Sequence, residues 1–498
     1  ETVELLGSDL VVNGDFATDL SGWSLGNTDA TNTITWNNGR VEMIADGTTA
    51  LKLEQSTFEV GKSYEIELDA YNITGAGFKV YDNDTILTIP SGADKHYKFY
   101  HTAITTSLNI YRNTSGQISS GEFDNVSVKE STKNNLARVD YDGTASSLLV
   151  EPQRTNLFPY SEDFSASVGL TAVDIELNQG IAPNGLTVAN LLSVGVDAST
   201  TRHRLYNLYS FVSGDTYTYS LFAKKDDQDW FQLMFSSTAF DTQSYANFDL
   251  SNGAVGNTGT STTANVIDYG NGWYRCSITC TATASASATY EILTTNNTDS
   301  GRYPSYESTT AVNVCSLWGA QLEAGSYATS YIPTNGESGG VTRLQDQYEK
   351  TGISDLINST EGCVFGEGNF AESNSSSYNY FVSLSDGTSN NRLEIRQSAS
   401  NLQFLWRVAT YQSEISTSSL DVSGNFKFAL NYSAANIKFY VNGNPIGTIN
   451  TPTLWSADTL NRLGLDDGAG NDNFNGKVKQ LQVFKTALTD KELQTLTT

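Results

Sequence analysis

At 498 residues with 38% hydrophobic side chains, the chain can bury several cores, and its 26 Tyr and 22 Phe argue against disorder. A formal charge of −26 argues against nucleic acid and against anionic membrane surfaces, since both need a basic face, and it suits divalent cations. No run of about 18 apolar residues occurs, so no transmembrane helix or membrane insertion is expected. The opening Glu1-Thr2-Val3, without Met or a basic stretch, points to processing or to a segment of a longer protein.

In chain order, period-two alternation dominates. Tyr64-Glu65-Ile66-Glu67-Leu68-Asp69-Ala70, Tyr217-Thr218-Tyr219-Ser220-Leu221 and Ile437-Lys438-Phe439-Tyr440-Val441 predict half-buried antiparallel strands. Asn37-Asn38-Gly39, Ser213-Gly214-Asp215 and Asn442-Gly443-Asn444 supply the turns between them. Only Leu488–Leu496 predicts a helical turn or two. The expected fold is all-β, three β-sandwich domains in tandem over 1–132, 133–340 and 341–498, with Gly, Ser and Asn clustering near 131–145 and 335–350. The first two read as diverged copies of one plan. Each opens on an acidic-Phe pair (Asp15-Phe16, Asp163-Phe164), continues through a hairpin (Glu59–Tyr64, Phe211–Tyr217) and closes on an apolar strand (Phe123–Val128, Val312–Trp318).

Catalytic patterns fail on context, so no enzyme is expected. Gly336-Glu337-Ser338-Gly339-Gly340 has the letters of a nucleophile elbow but follows a linker, not a strand. Gly366-Glu367-Gly368-Asn369-Phe370-Ala371 lacks the βαβ unit of a dinucleotide fingerprint. His96, His101 and His203 show no metal-binding spacing. Glu65, Glu67 and Asp69 form the one alternating acidic row, which reads as a solvated strand face rather than an active site. Cys276, Cys280, Cys315 and Cys363 fit free buried thiols; a Cys276–Cys315 bridge is the alternative.

The first module resembles jelly-roll carbohydrate-binding modules through Asn13-Gly14-Asp15-Phe16, Ser21-Gly22-Trp23 and Phe123-Asp124-Asn125-Val126. That resemblance implies a structural calcium held with Asp15 and Asp124. The middle module resembles a second jelly roll, found in bacteriophage tail, fibre and head-associated proteins. Its marks are Glu151-Pro152-Gln153-Arg154-Thr155-Asn156-Leu157, Ser161-Glu162-Asp163-Phe164, Gly272-Trp273-Tyr274-Arg275 and Trp318–Gly325 running into Ala328–Thr334. The third is similar to laminin-G or concanavalin-like lectin domains through the Asn442-Gly443 hairpin and Phe474-Asn475-Gly476-Lys477-Val478 leading to Leu488–Leu493. Its loop Asp466-Asp467-Gly468-Ala469-Gly470-Asn471-Asp472-Asn473 offers hard oxygen ligands for calcium, with a solvated turn as the equal alternative.

Sugar recognition uses exposed aromatic faces beside amides and acids. The candidates are Trp36, Tyr81, Tyr100 and Tyr111 in the first module and Trp406, Tyr411 and Trp455 in the third, whereas Trp23, Trp273 and Trp318 lie in motifs that face the core. The resemblances together imply a phage virion surface protein, as tail fibre, receptor-binding or capsid-decoration subunit. It would bind polysaccharide or cell-surface glycan, contact other virion proteins and form a homo-oligomer, for instance a trimer. The alternatives are an accessory segment of a secreted polysaccharide-degrading enzyme and a bacterial surface adhesin.

Overall fold

The computed structural model describes residues 5–498 apart from 84, 93, 132–137, 143–144, 167, 338, 373–377 and 419, and divides into two compact units, 1–139 and 140–498. Ser338 of the elbow-like pattern thus lies outside the described residues. Strands and turns make up nearly all of the rest; the helix Asp490–Thr497 forms where the sequence predicts one, capped by Thr489 and Glu492. No helix among the described residues is long and apolar enough to cross a membrane.

The first unit is a sandwich of two antiparallel sheets. One has the order Thr33–Trp36, Val41–Ala45, Ser119–Ser131, Ser63–Gly75, Lys95–Thr102; the other Ser24–Gly26, Lys52–Ser56, Ser107–Arg112, Phe78–Tyr81, Thr85–Ile89. Alternation sets the faces: Tyr64, Ile66, Leu68 and Ala70 enter the core, while Glu65, Glu67 and Asp69 stand opposite Tyr100, Lys98 and His96 on the outer side. The acidic row is therefore one half of a ladder with Lys98 (2.9 and 2.8 Å) and His96 (2.7 Å). In the opening motif Phe16 fills the core and Asn13 holds the loop through Asp19 and Ser21. A side chain at Gly14 would collide with the Val126 carbonyl at 1.9 Å, which is why glycine stands there.

The second unit holds two cores. The sandwich around residues 158–322 has sheets ordered Asp174–Ile181, Thr187–Val194, Val312–Ala324, Thr216–Lys225, Trp273–Thr281, Thr263–Asp268, and Gly169–Thr171, Arg204–Phe211, Ala286–Thr294, Trp230–Phe235, Tyr245–Asp249, Ala254–Thr258. This is the strand plan of the first unit with an added edge strand on each sheet. The copies match in detail too. Tyr64 Oη accepts the Glu59 N–H at 2.8 Å, and Tyr217 Oη accepts the Val212 N–H at 3.2 Å, each closing the hairpin before its strand. Trp23, Trp273 and Trp318 are buried.

The Glu151–Leu157 motif ties the middle sandwich to the chain that leaves it. Asn156, fully buried, donates to the Ala320 and Ile332 carbonyls and accepts the Phe158 and Leu322 N–H groups. Glu151 accepts from Ser330 N at 2.9 Å and pairs with Arg343 at 3.1 Å.

In the C-terminal sandwich a seven-stranded sheet contains the run Ala145–Val150, Gly476–Phe484, Gly362–Phe370, Phe426–Tyr432, Asn436–Val441, Asn444–Asn450. A six-stranded sheet runs Glu349–Thr351, Arg462–Gly464, Asn379–Ser385, Arg392–Ser398, Asn401–Val408, Thr410–Ser416. Ala145–Val150 thus belongs to this sheet although it precedes the middle sandwich in sequence, because Val150 completes the C-terminal core. The helix packs Leu493 on Cys363, Ala429 and Tyr440. All four cysteines are free and buried.

Candidate functional site

Two of the aromatic candidates meet on the solvent side of the five-stranded sheet of the first unit. In Phe78–Tyr81 and Ser107–Arg112, the core takes Phe78, Val80, Leu108 and Ile110, so Lys79, Tyr81, Asn109 and Tyr111 face outward. Register places Tyr111 beside Lys79 and Lys52, and Asn109 beside Tyr81 and Glu54. The Tyr81 and Tyr111 rings, both half-buried, lie 5.3 Å apart at 32°. Lys79 Nζ sits 4.4 Å from one ring centroid and 5.3 Å from the other. Lys52 pairs with Glu54 at 2.5 Å, which holds the Glu54 carboxyl below its usual range despite partial burial. Asn109 Nδ2 donates to the Tyr81 and Ser107 carbonyls, fixing its side chain against the rings. Across five strands the face measures about 19 Å, at about 4.8 Å per strand, which suits a run of sugar rings. Two ring faces flanked by an ammonium and an ion pair are the parts needed to stack a pyranose and hydrogen-bond its hydroxyls, with the buried Asn109 holding the strands that carry the rings.

The remaining candidates stand elsewhere. Tyr100 lies on the other sheet, where its hydroxyl donates to Glu65 at 2.6 Å; burial, with that carboxylate, pushes its pKa up to about 12. Trp36 is 43% exposed at a sheet edge, its Nε1 donating to the Phe16 carbonyl. Tyr411 is 52% exposed on the edge strand of the C-terminal sandwich. Trp406 and Trp455 are corrections: at 2% and 3% exposure they offer no face to a sugar. Trp406 shares the inward parity of Leu402 and Phe404, and both indole N–H groups are spent on backbone carbonyls, of Thr453 and Arg407. Lys52, Glu54, Lys79 and Asn109 escaped the sequence reading, although the parity of Lys79-Val80-Tyr81 and Asn109-Ile110-Tyr111 already puts them on the face of the tyrosines.

The acidic loop of the C-terminal sandwich does not fit calcium. Asp466 is buried against Arg462, with Nη1 at 2.8 Å, and also accepts Gly468 N–H at 2.7 Å. Asp467 faces Arg392 at 3.4 Å and accepts the Ala469 and Asn471 N–H groups, while Asp472 is exposed. Guanidinium charge already faces Asp466 and Asp467. In the first unit Asp124 is held above the usual carboxyl range by burial, with Asp69 and Asp15 adding repulsion against the Asn125 N–H and Arg40. Among the described residues no group of three or more His, Cys, Asp or Glu is arranged to hold a metal ion.

Residues 369–494 match the family of concanavalin A-like lectins and glucanases (laminin-G type 3). Among solved structures, the Ruminococcus gnavus IT-sialidase CBM40 is similar at 16% identity, over 29% of this chain and 85% of that one, with a TM-score of 0.26. A heptameric SAP-like pentraxin from Limulus polyphemus is similar at 19% identity over 29% and 72%, TM-score 0.25. The CBM22-1-CBM22-2 tandem of Paenibacillus barcinonensis Xyn10C is similar at 12% identity over 65% and 99%, TM-score 0.26. No curated protein matches.

Proposed function

We propose that this chain is a non-enzymatic glycan-binding protein whose first sandwich takes polysaccharide on the Tyr81–Tyr111 face. The carrying observation is that pair of outward rings, held 5.3 Å apart beside Asn109 and Lys79. The lectin-family match of residues 369–494 supports the same class. We assign it outside cells, on a phage virion as tail-fibre, receptor-binding or capsid-decoration subunit, working as a homo-oligomer among other virion proteins. The ordered motifs of the middle module support this placement. An accessory carbohydrate-binding segment of a secreted polysaccharide-degrading enzyme is the second reading, favoured by the lectin and glucanase family match.

A glycan array read with wild type and with Tyr81→Ala and Tyr111→Ala tests the site. Each variant is expected to weaken binding about tenfold, the ~1.4 kcal/mol that one aromatic stacking contact contributes. Variants that bind like wild type would remove the face from consideration, and a wild type that binds no glycan would end the glycan reading. Mass spectrometry of purified virions, with the chain present or absent, decides between the two settings.

A further inference from the structure

The matching sheet face of the second sandwich has different chemistry. Arg204–Phe211, Ala286–Thr294 and Trp230–Phe235 occupy the positions that Lys52–Ser56, Ser107–Arg112 and Phe78–Tyr81 hold in the first. Here the chain of residues 295–303 lies across the sheet. It is pinned by two buried amides, Gln232 to the Gly301 carbonyl (3.0 Å) and Asn247 to the carbonyls of Thr298 (2.8 Å) and Ser300 (2.6 Å). That loop delivers Arg302 and Tyr303, the latter in a left-handed conformation (φ 63°) that is strained for a non-glycine residue.

Arg202 and Arg302 each hold their guanidinium carbon 4.2 Å from the centroid of the Tyr303 ring. Tyr303 Oη donates to Glu291 at 3.0 Å, and this buried carboxylate also takes Arg204 at 2.9 Å and the Thr289 hydroxyl at 2.6 Å. Arg204 therefore matches the charge of Glu291. Arg202 and Arg302 have no carboxylate partner among the described residues; Arg302 Nη2 donates only to the Phe235 carbonyl at 3.3 Å, and Arg202 is exposed. In a chain with 55 acidic and 29 basic side chains, two unmatched guanidiniums fixed on one ring are an electrostatic exception.

We propose that the Arg202–Arg302 pair on the Tyr303 ring, at the outer side of the covering loop, binds the oxyanion substituents, carboxylate or sulfate, of an acidic polysaccharide. Stacking on Tyr303 has already restricted the arginine side chains, so little further ordering opposes binding, and the planar fork of guanidinium suits paired anionic oxygens. The net charge of the chain does not forbid this, because at 0.15 M salt its field is screened within about 8 Å and the local pairing decides. The proposal stands on the second sandwich's own residues and does not depend on sugar binding at Tyr81 and Tyr111.

The test is binding of the full chain to immobilised polygalacturonate, dextran sulfate and neutral dextran at about 0.15 M salt. Wild type is expected to be retained on at least one polyanion and not on dextran; retention on polygalacturonate names the carboxylate, retention on dextran sulfate the sulfate. Arg202→Ala combined with Arg302→Ala is expected to lower that affinity about tenfold or more, since hydrogen bonds to charged groups are lost. Tyr81→Ala is expected to leave it unchanged, and an unaltered melting temperature of the double variant separates lost binding from lost fold. Retention of wild type on neither polyanion, or equal retention of the double variant, overturns the proposal.

Discussion

Replacing Asn156 with Ala probes why the Glu151–Leu157 motif exists. The Asn156 side chain is fully buried and makes four hydrogen bonds: to the carbonyls of Ala320 (3.1 Å) and Ile332 (2.7 Å), and from the N–H groups of Phe158 (3.0 Å) and Leu322 (3.1 Å). At about 1 kcal/mol net for each bond, the loss comes to about 4 kcal/mol. That is a large part of the roughly 5–15 kcal/mol that holds a domain together. Amide hydrogen exchange read by mass spectrometry, followed on strand Val312–Ala324 of the full chain, reports the opening of this sandwich separately from the others. Asn156→Asp should fare no better than Ala, because a carboxylate oxygen would then face two carbonyl oxygens that need a donor. A loss below about 1 kcal/mol in Asn156→Ala would refute the account of the motif as a structural clamp.

Asp466→Ala removes the buried one of the two carboxylates that pair with Arg462, leaving the half-exposed Glu349 at 2.6 Å, and should destabilise the C-terminal sandwich by about 1–3 kcal/mol, measured by urea denaturation. EDTA should leave the melting of the wild-type sandwich unchanged; a fall would show that a metal, not arginine, neutralises the loop. His203 is buried over the Tyr306 ring at 4.5 Å with both ring nitrogens unpartnered, and burial, opposed by Asp197, holds its pKa below the ordinary 6.5. The unfolded chain therefore binds the proton first. Stability is full above about pH 6.5 and declines by up to about 1.4 kcal/mol per unit as pH falls from there toward the folded value. Thermal melting between about pH 7 and pH 5 should show that decline in wild type and a shallower one in His203→Phe; equal slopes would refute it.

The parity of strands was legible because a side chain's face follows from its position alone. Tyr64, Ile66 and Leu68 point inward and Glu65, Glu67 and Asp69 outward with no knowledge of their neighbours. The same reasoning places Tyr81 and Tyr111 outward, and it would have placed Trp406 inward had its strand been read together with Leu402 and Phe404. Gly14 and Asn13 were visible as a motif, but their purpose was not, because the Val126 carbonyl that forbids a side chain at Gly14 comes from the far end of the module. The acidic loop resembled a calcium site because the Arg392 that faces Asp467 comes from a strand 75 residues away; Arg462, four residues before Asp466, was in view, but its pairing with that carboxylate is set by the fold.

By itself the sequence determined an all-β chain, its repeated jelly-roll plan and the terminal helix, since these follow from local periodicity, turn residues and capping. Tertiary structure alone decided which outward residues became neighbours. Strand register set Tyr81 against Asn109 and Tyr111 against Lys79, and a loop crossing the second sandwich brought Arg302 and Tyr303 to Arg202. It also sent Ala145–Val150 to the third sandwich before the chain builds the second. Such meetings depend on the pairing of strands distant in sequence, which hydrogen-bond register and core packing settle together and alternation along one strand does not encode.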